Sequence, residues 1–418
     1  MKVIRQNARK HTGLKAFLFV IFASACFAAG FFYFQKGFQP GGSVPAVSSS
    51  VPAAVRSSSA ASSAPESKAV PKPVSITILG AGDDLIHDVI YKQAYQRTGG
   101  KGYDFGPVYQ RVADQIRGAD IAVINQETVL AGKIAPPSGY PLFNSPTEVG
   151  DALVNIGFDV INHANNHVLD QGEKGIKATL DYWDTKPVKV VGAYRNDADL
   201  ENIRIVEAKG IKTAHIGITE MTNGLHLPKG SEYRLVYASD TKLIEHLIKK
   251  AKSMADVVVI SVHWGTENSY TLTETQKKLA QEMVDWGADI IFGNHPHVLQ
   301  QLTVLTRSDG TQCPVIYSIG NFVSTMQKGD DMVSGLLTVT MTKNFETGKT
   351  TFTDMKFTPT VTQYENHSTN VSIYPLSEYS DALAKKHGVR RFTPKFSMSF
   401  IEDILHKSIP DQYLDYAS

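Results

Sequence analysis

Cysteine is nearly missing from this chain: two residues in 418, Cys26 and Cys313. Cys26 falls inside an apolar run and Cys313 stands alone, so no intrachain disulfide framework braces the fold. Stability must then come from an ordinary hydrophobic core or from bound metal. A dominant charge is missing too, the formal net charge being +1. Acids are absent from the first 38 residues, which hold six of the 42 basic residues; the remainder carries 36 basic against 41 acidic side chains, a net −5. Nothing there resembles the basic track of a nucleic-acid-binding protein, and nucleic acid is excluded as a partner.

One long hydrophobic run is present. From Ala16 to Phe34 the sequence "AFLFVIFASACFAAGFFYF" has no charged residue, and its length at helical rise is close to what a bilayer core requires. Lys2, Arg5, Arg9, Lys10 and Lys15 precede it with no acid, so the positive-inside rule places residues 1–15 in the cytoplasm and everything after the span outside. The sequence predicts a retained transmembrane anchor at 16–34. The alternative is a cleaved signal peptide, but the run is longer than an ordinary h-region and no clean small-residue cleavage site ends it. Residues 35–73 are rich in Ser, Ala, Pro and Val. They have little to bury against their ordering entropy and read as a disordered linker reaching roughly 100 Å when extended.

Residues 74–418 read as an extracytoplasmic α/β domain. Short β-branched runs, "SITILGAG" (75–82), "IAVIN" (121–125), "FDVIN" (158–162), "VKVVGA" (188–193), "TAHIGI" (213–218), "VVVISVHW" (257–264), "DIIFG" (289–293) and "VIYSIG" (315–320), alternate with helical periodicity. Helices are expected over "EKGIKATLDYWD", "TKLIEHLIKKAKSMA" and "ETQKKLAQEMVDWG", with Asp240 or Ser239 and Thr273 as start signals and Gly287 as a stop. Past Gly335, "LLTVTMT" and "TTFTDMKFTPT" flank "NFETGK" as a hairpin, and a short helix is expected near the carboxyl terminus.

The polar residues then fall into a pattern. Asp83 and Asp84, Glu127, the stretch His163 to His167, His263, and the pair His295 and His297 each follow or end an apolar strand. Ligands bind outside the carboxyl ends of strands in open α/β sheets, and His, Asp, Glu and Asn together suit a divalent transition metal. A solitary histidine after a strand is more often a hydrogen-bonding or surface residue than a ligand. The "GNHPH" stretch is a sharper signal, since its two imidazoles one residue apart can address two metals or one metal from neighbouring directions.

These motifs, "GAGDDLIHD", "NQET", "GFDVINHANNHVLDQGEKGIKATLDYW", "VISVHWGTEN", "GADIIFGNHPHVLQ" and "VIYSIGNFV", occur in an order and spacing that resembles the CapA family of poly-γ-glutamate capsule synthesis proteins, over roughly Ile76 to Thr342. That family is similar to the calcineurin-like metallophosphoesterases. The resemblance implies a layered α/β/β/α sandwich with a two-metal centre at the strand ends. It implies Asp83, Glu127, Asn166, His263, His295 and His297 as metal ligands, and His167 as the residue that stabilises developing charge or protonates the leaving group. Two departures stand out: Leu85 occupies the place of a ligand histidine, with His87 the nearest candidate, and Glu127 takes the place of a bridging aspartate.

Asp170 and His163 can orient His167 or a ligand imidazole, or simply cap the loop that enters the following helix. His87 can complete the metal site or donate to substrate. Asn321 can approach the site or close a turn, and Glu267 can be catalytic or merely solvated. The expected cofactor is one or two divalent ions, Mn, Zn or Fe, and the expected function capsule synthesis or export. The domain is then a metal-dependent hydrolase or transferase acting on a phosphoester or on an amide of an anionic polymer. The alternative is a non-catalytic subunit that binds the polymer beside a membrane ligase or transporter.

Overall fold

The computed structural model describes residues 72–416. The span expected at 16–34 and nearly all of the linker lie outside the described residues. Among the described residues no helix is long and apolar enough to cross a membrane.

Two β-sheets pack face to face with helices outside them. The strands are β1 (Val74–Asp84), β2 (Ile121–Gln126), β3 (Val160–Asn162), β4 (Lys189–Val191), β5 (Arg204–Ala208), β6 (Ile211–Thr219), β7 (Val257–His263), β8 (Ile290–Asn294), β9 (Leu302–Thr306), β10 (Gln312–Ile316), β11 (Val333–Lys343), β12 (Thr350–Glu365) and β13 (Thr369–Pro375). The first sheet has the order β13-β12-β11-β1-β2-β3-β4 and the second β5-β6-β7-β8-β10-β9. β1 to β4 run parallel, as do β6, β7, β8 and β10. The outer strands β11, β12, β13, β5 and β9 are antiparallel additions.

The central strands read as unbroken apolar runs because both of their faces are covered; β2, β7 and β8 are buried at every position. Alternation still decides which face meets what. Val257 and Val259 turn inward to the core shared with Ile78 and Val123. Val258, Ile260 and Val262 turn outward onto Ile244, Leu247, Ile248, Leu279 and Met283 of the helices Thr241–Met254 and Glu274–Trp286. Those helices start as the sequence predicts. Asp240 accepts from Leu243 N–H, and Thr273 forms a reciprocal capping box with Gln276. Gly287, at φ 126°, ends the second.

Three expectations change. "VIYSIG" leaves the sheet after Ile316: Tyr317 N–H donates to Gln301, Ile319 N–H donates to Gly293, and Gly320 turns at φ 80°. "FDVIN" and "VKVVGA" form strands of only three residues each. The edge strands β5, β9 and β13 are additional to the sequence reading.

Candidate metal centre

Five parallel strands end at the same place. β1 carries a register shift between Ala81 and Asp83 against β2, a bulge that re-aims the following side chain. Gly82 makes this possible: a Cβ there would lie 1.9 Å from Gly320 O, the same carbonyl that accepts Asp83 N–H. Beyond the bulge Asp83 lies in register with Asn125, and Asn125 with Asn162. On the facing sheet His263 ends β7 in register with Asn294, the last residue of β8, and the "HPH" turn follows. Gly217 of β6 lets the sheets close, since a Cβ there would meet Asn162 Oδ1 at 2.3 Å.

All six ligands expected from the resemblance come together in the interior. His263 Nε2 lies 3.0 Å from Asn166 Oδ1, 3.1 Å from His295 Nδ1 and 3.6 Å from Glu127 Oε1. His297 Nδ1 lies 3.3 Å from Asp83 Oδ2, and its Nε2 lies 3.9 Å from the same Glu127 oxygen. Glu127 therefore stands between two groups of donors, as a bridging acid would. His295 and His297 both adopt positive φ, 97° and 60°, which for non-glycine residues is a strained backbone held by its surroundings. His295 N–H donates to Asp83 Oδ2.

The electrostatics mark this as a place built for a cation. Both oxygens of Glu127 are buried without a hydrogen-bond partner. Burial, followed by the charge of Asp83, holds its carboxyl well above the usual range. Burial lowers His263 far below an ordinary imidazole, assisted by His295 and His297, and takes His295 down to about 3. Burial also opposes charge on His297, but Glu127 and the hydrogen-bonded Asp83 outweigh it and raise the ring to about 10. His297 is thus the ring whose surroundings favour its charged form, where two carboxylates converge. Donors 3.0–3.9 Å apart match the roughly 3.4 Å separation of ligands placed tetrahedrally about 2.1 Å from a metal. The donor set fits one or two divalent ions, and N/O donors of this kind suit Mn, Fe and Zn alike.

The remaining expected residues separate. Asp170 Oδ2 lies 2.7 Å from His167 Nδ1 and also accepts Phe143 N–H, while the Phe143 ring meets His167 edge-on at 4.7 Å. Asp170 therefore orients His167. His163 does not take part: its Nε2 accepts Trp183 N–H at 2.7 Å and anchors the helix Gly172–Trp183, because the chain leaving β3 turns this ring toward the outer layer. His87 lies across Phe143 from His167. Its Nδ1 faces backbone, 3.2 Å from Leu85 O and 3.3 Å from Thr325 N. Asn321 does approach the centre, with Oδ1 2.9 Å from His297 Nδ1.

Two residues were missed by sequence reasoning. Asn125 donates to Asp83 Oδ1 at 2.7 Å and lies 3.3 Å from His263 Nδ1, while Asn162 donates to Asn125 Oδ1. Each follows isoleucine at the end of a buried strand. An amide in that position was the available signal.

The arrangement defines a class: a two-sheet α/β sandwich with a buried histidine–carboxylate centre at its parallel strand ends. Residues 77–326 match the family described as bacterial capsule synthesis protein PGA_cap, and the chain belongs to that family. Among curated relatives it is 39% identical over 181 residues to the capsule biosynthesis protein CapA of Bacillus anthracis, covering 42% of each chain. It is 36% identical over 173 residues to the PGA biosynthesis protein CapA of Bacillus subtilis strain 168, covering 41% of this chain and 44% of that one. The match thus spans less than half the length of either relative. Among solved structures, a phosphatase from Mycoplasma pneumoniae matches with TM-score 0.44 and 14% identity, over 69% of this chain and 94% of that one. The NAD nucleotidase of Haemophilus influenzae matches with TM-score 0.42 and 13% identity, over 81% and 60%.

Proposed function

We propose that this domain is a metal-dependent hydrolase or transferase of capsule assembly, acting outside the cell on a phosphoester or on an amide of an anionic polymer such as poly-γ-glutamate. Residues 16–34 would anchor it in the membrane and 35–73 tether it there, beside a membrane ligase or transporter. The observation that carries the reading is Glu127, a buried carboxylate with no partner of its own, ringed by donors from both sheets. An uncompensated carboxylate in such a place is costly unless a cation joins it.

Asp83, Glu127, Asn166, His263, His295 and His297 would hold the metal. When bound, the metal would polarise a phosphoryl or carbonyl oxygen and acidify a water. The protein's own groups prepare the rest. Asn223 accepts from Asn166 Nδ2 at 3.3 Å, leaving the amide oxygen aimed at the centre. Asn321 fixes the ring of His297, and Asn125 fixes Asp83. Asp170 accepts His167 Nδ1–H, so that Nε2 is the nitrogen left to move a proton at the leaving group. Phe143 excludes water from the outer side of that pair.

Turnover of a generic phosphodiester and of a γ-linked glutamate oligomer, with Mn²⁺ or Zn²⁺ and with chelator, tests the activity. Metal-dependent cleavage lost in His167→Ala supports it. Metal bound without cleavage of either bond class contradicts catalysis and leaves polymer binding as the role.

A further inference from the structure

We propose that Glu267 is a seventh ligand of this centre, a carboxylate at its mouth that takes up the coordination left open by Leu85. The proposal rests on the metal-centre reading above and extends its ligand set. Donor atoms of Glu267, His295 and His297 lie within 4.8 Å of one another, forming a second ion-competent group beside that of Asp83, Glu127 and His297. Two ligands on opposite sides of an ion about 2.0–2.2 Å away are separated by roughly 4.0–4.4 Å, so small side-chain rotations bring the three into contact with one cation.

The loop bearing Glu267 is fastened to the histidine turn: Asn268 N–H donates to Pro296 O at 2.8 Å, between the two imidazoles. On the other side Gly265 N–H donates to Glu220. Glu267 is therefore held in register with His295 and His297 rather than drifting with a solvent loop. Among the described residues it has no lysine or arginine within ion-pair distance, unlike Glu274, which pairs with Lys277.

Leu85 is buried and offers no donor, and the Nδ1 of His87 faces backbone. Glu267 offers a carboxylate donor where Leu85 has none. It also changes the charge balance. With Asp83 and Glu127 it gives three carboxylates, so two divalent ions would retain one positive charge for an anionic substrate group.

The test is a metal count and a calorimetric Mn²⁺ titration on the purified metal-stripped protein, neither of which depends on turnover. Wild type is expected to bind two ions. Glu267→Ala is expected to lose one, or to weaken the weaker site at least tenfold, with Glu267→Asp between the two. Glu274→Ala, which removes an exposed carboxylate paired with Lys277, is expected to match wild type. Two ions bound by Glu267→Ala with unchanged affinities overturn the inference while leaving the metal centre intact. A wild type that binds no divalent ion overturns both.

Discussion

The two ends of the parallel strands treat carboxylates in opposite ways. At the amino-terminal edge an aspartate stands immediately before each of β2, β3, β7 and β8, and each one is satisfied. Asp120 accepts from Thr77 N–H at 2.9 Å and from Lys209 at 2.8 Å, and Asp159 accepts from Ala122 N–H at 2.8 Å. Asp256 accepts from Lys212 N–H and from Lys343 at 2.6 Å. Asp289 accepts from Val258 N–H at 2.8 Å and from Lys252 at 2.7 Å. At the carboxyl-terminal edge Glu127 has no donor at all, and His297 alone is left to balance it and Asp83. The first edge ties neighbouring strands together. The second keeps its polar groups free of such partners, and the contrast marks that end as the candidate site without reference to any relative.

Substitutions should therefore have opposite signs at the two ends. Asp289→Ala strands a buried N–H and leaves Lys252 and Arg307 without their carboxylate. It should cost about 3 kcal/mol in urea unfolding and leave the metal count unchanged. A loss of metal with no loss of stability would erase the distinction. Asp170→Asn should leave metal content intact and lower turnover about 10–100-fold, the usual effect of removing a group that orients another. Loss of metal instead would show that Asp170 supports the ligands rather than His167. Glu127→Gln should abolish tight metal binding but stabilise the metal-free protein by about 1 kcal/mol, because it removes a buried carboxylate that makes no hydrogen bond and that His297 must balance together with Asp83. A destabilised metal-free variant would mean that Glu127 has a structural partner.

The smallest effect concerns pH. Burial lowers His163 and His215, the latter on β6 beside Thr213, to about 3 in the fold, against roughly 6.5 in an unfolded chain. Between those values the unfolded chain binds protons that the folded chain refuses, so their contribution is complete above pH 6.5 and falls away toward pH 3. In chelator, the urea midpoint should decline from pH 7 to pH 5, and less steeply in His163→Gln, which can still accept Trp183 N–H but cannot titrate. Equal slopes in the two proteins would contradict the depressed value.

The legible and illegible parts of the sequence divide on similar physical lines. The helices Thr241–Met254 and Glu274–Trp286 showed themselves through apolar spacing and caps, and the β11–β12 hairpin through alternation. The strand ends drew attention to the region because apolar runs precede them, and the resemblance singled out the six donors within it. β5, β9 and β13 escaped because edge strands are only partly buried and their composition does not separate them from loop. Asn125 and Asn162 escaped because one polar residue inside a strand does not reveal which face it occupies. That depends on register with β1 and on the bulge at Gly82. His163 and His167 look alike in the sequence, yet one ring faces Trp183 and the other Asp170.

Metal analysis of the purified protein beside the double variant His295→Ala, His297→Ala tests the central claim most directly. The convergence of strand ends on Glu127 requires at least one tightly held divalent ion per chain in the parent, and its loss, by more than a hundredfold in affinity, in the variant. Equal metal content in the two proteins would contradict it.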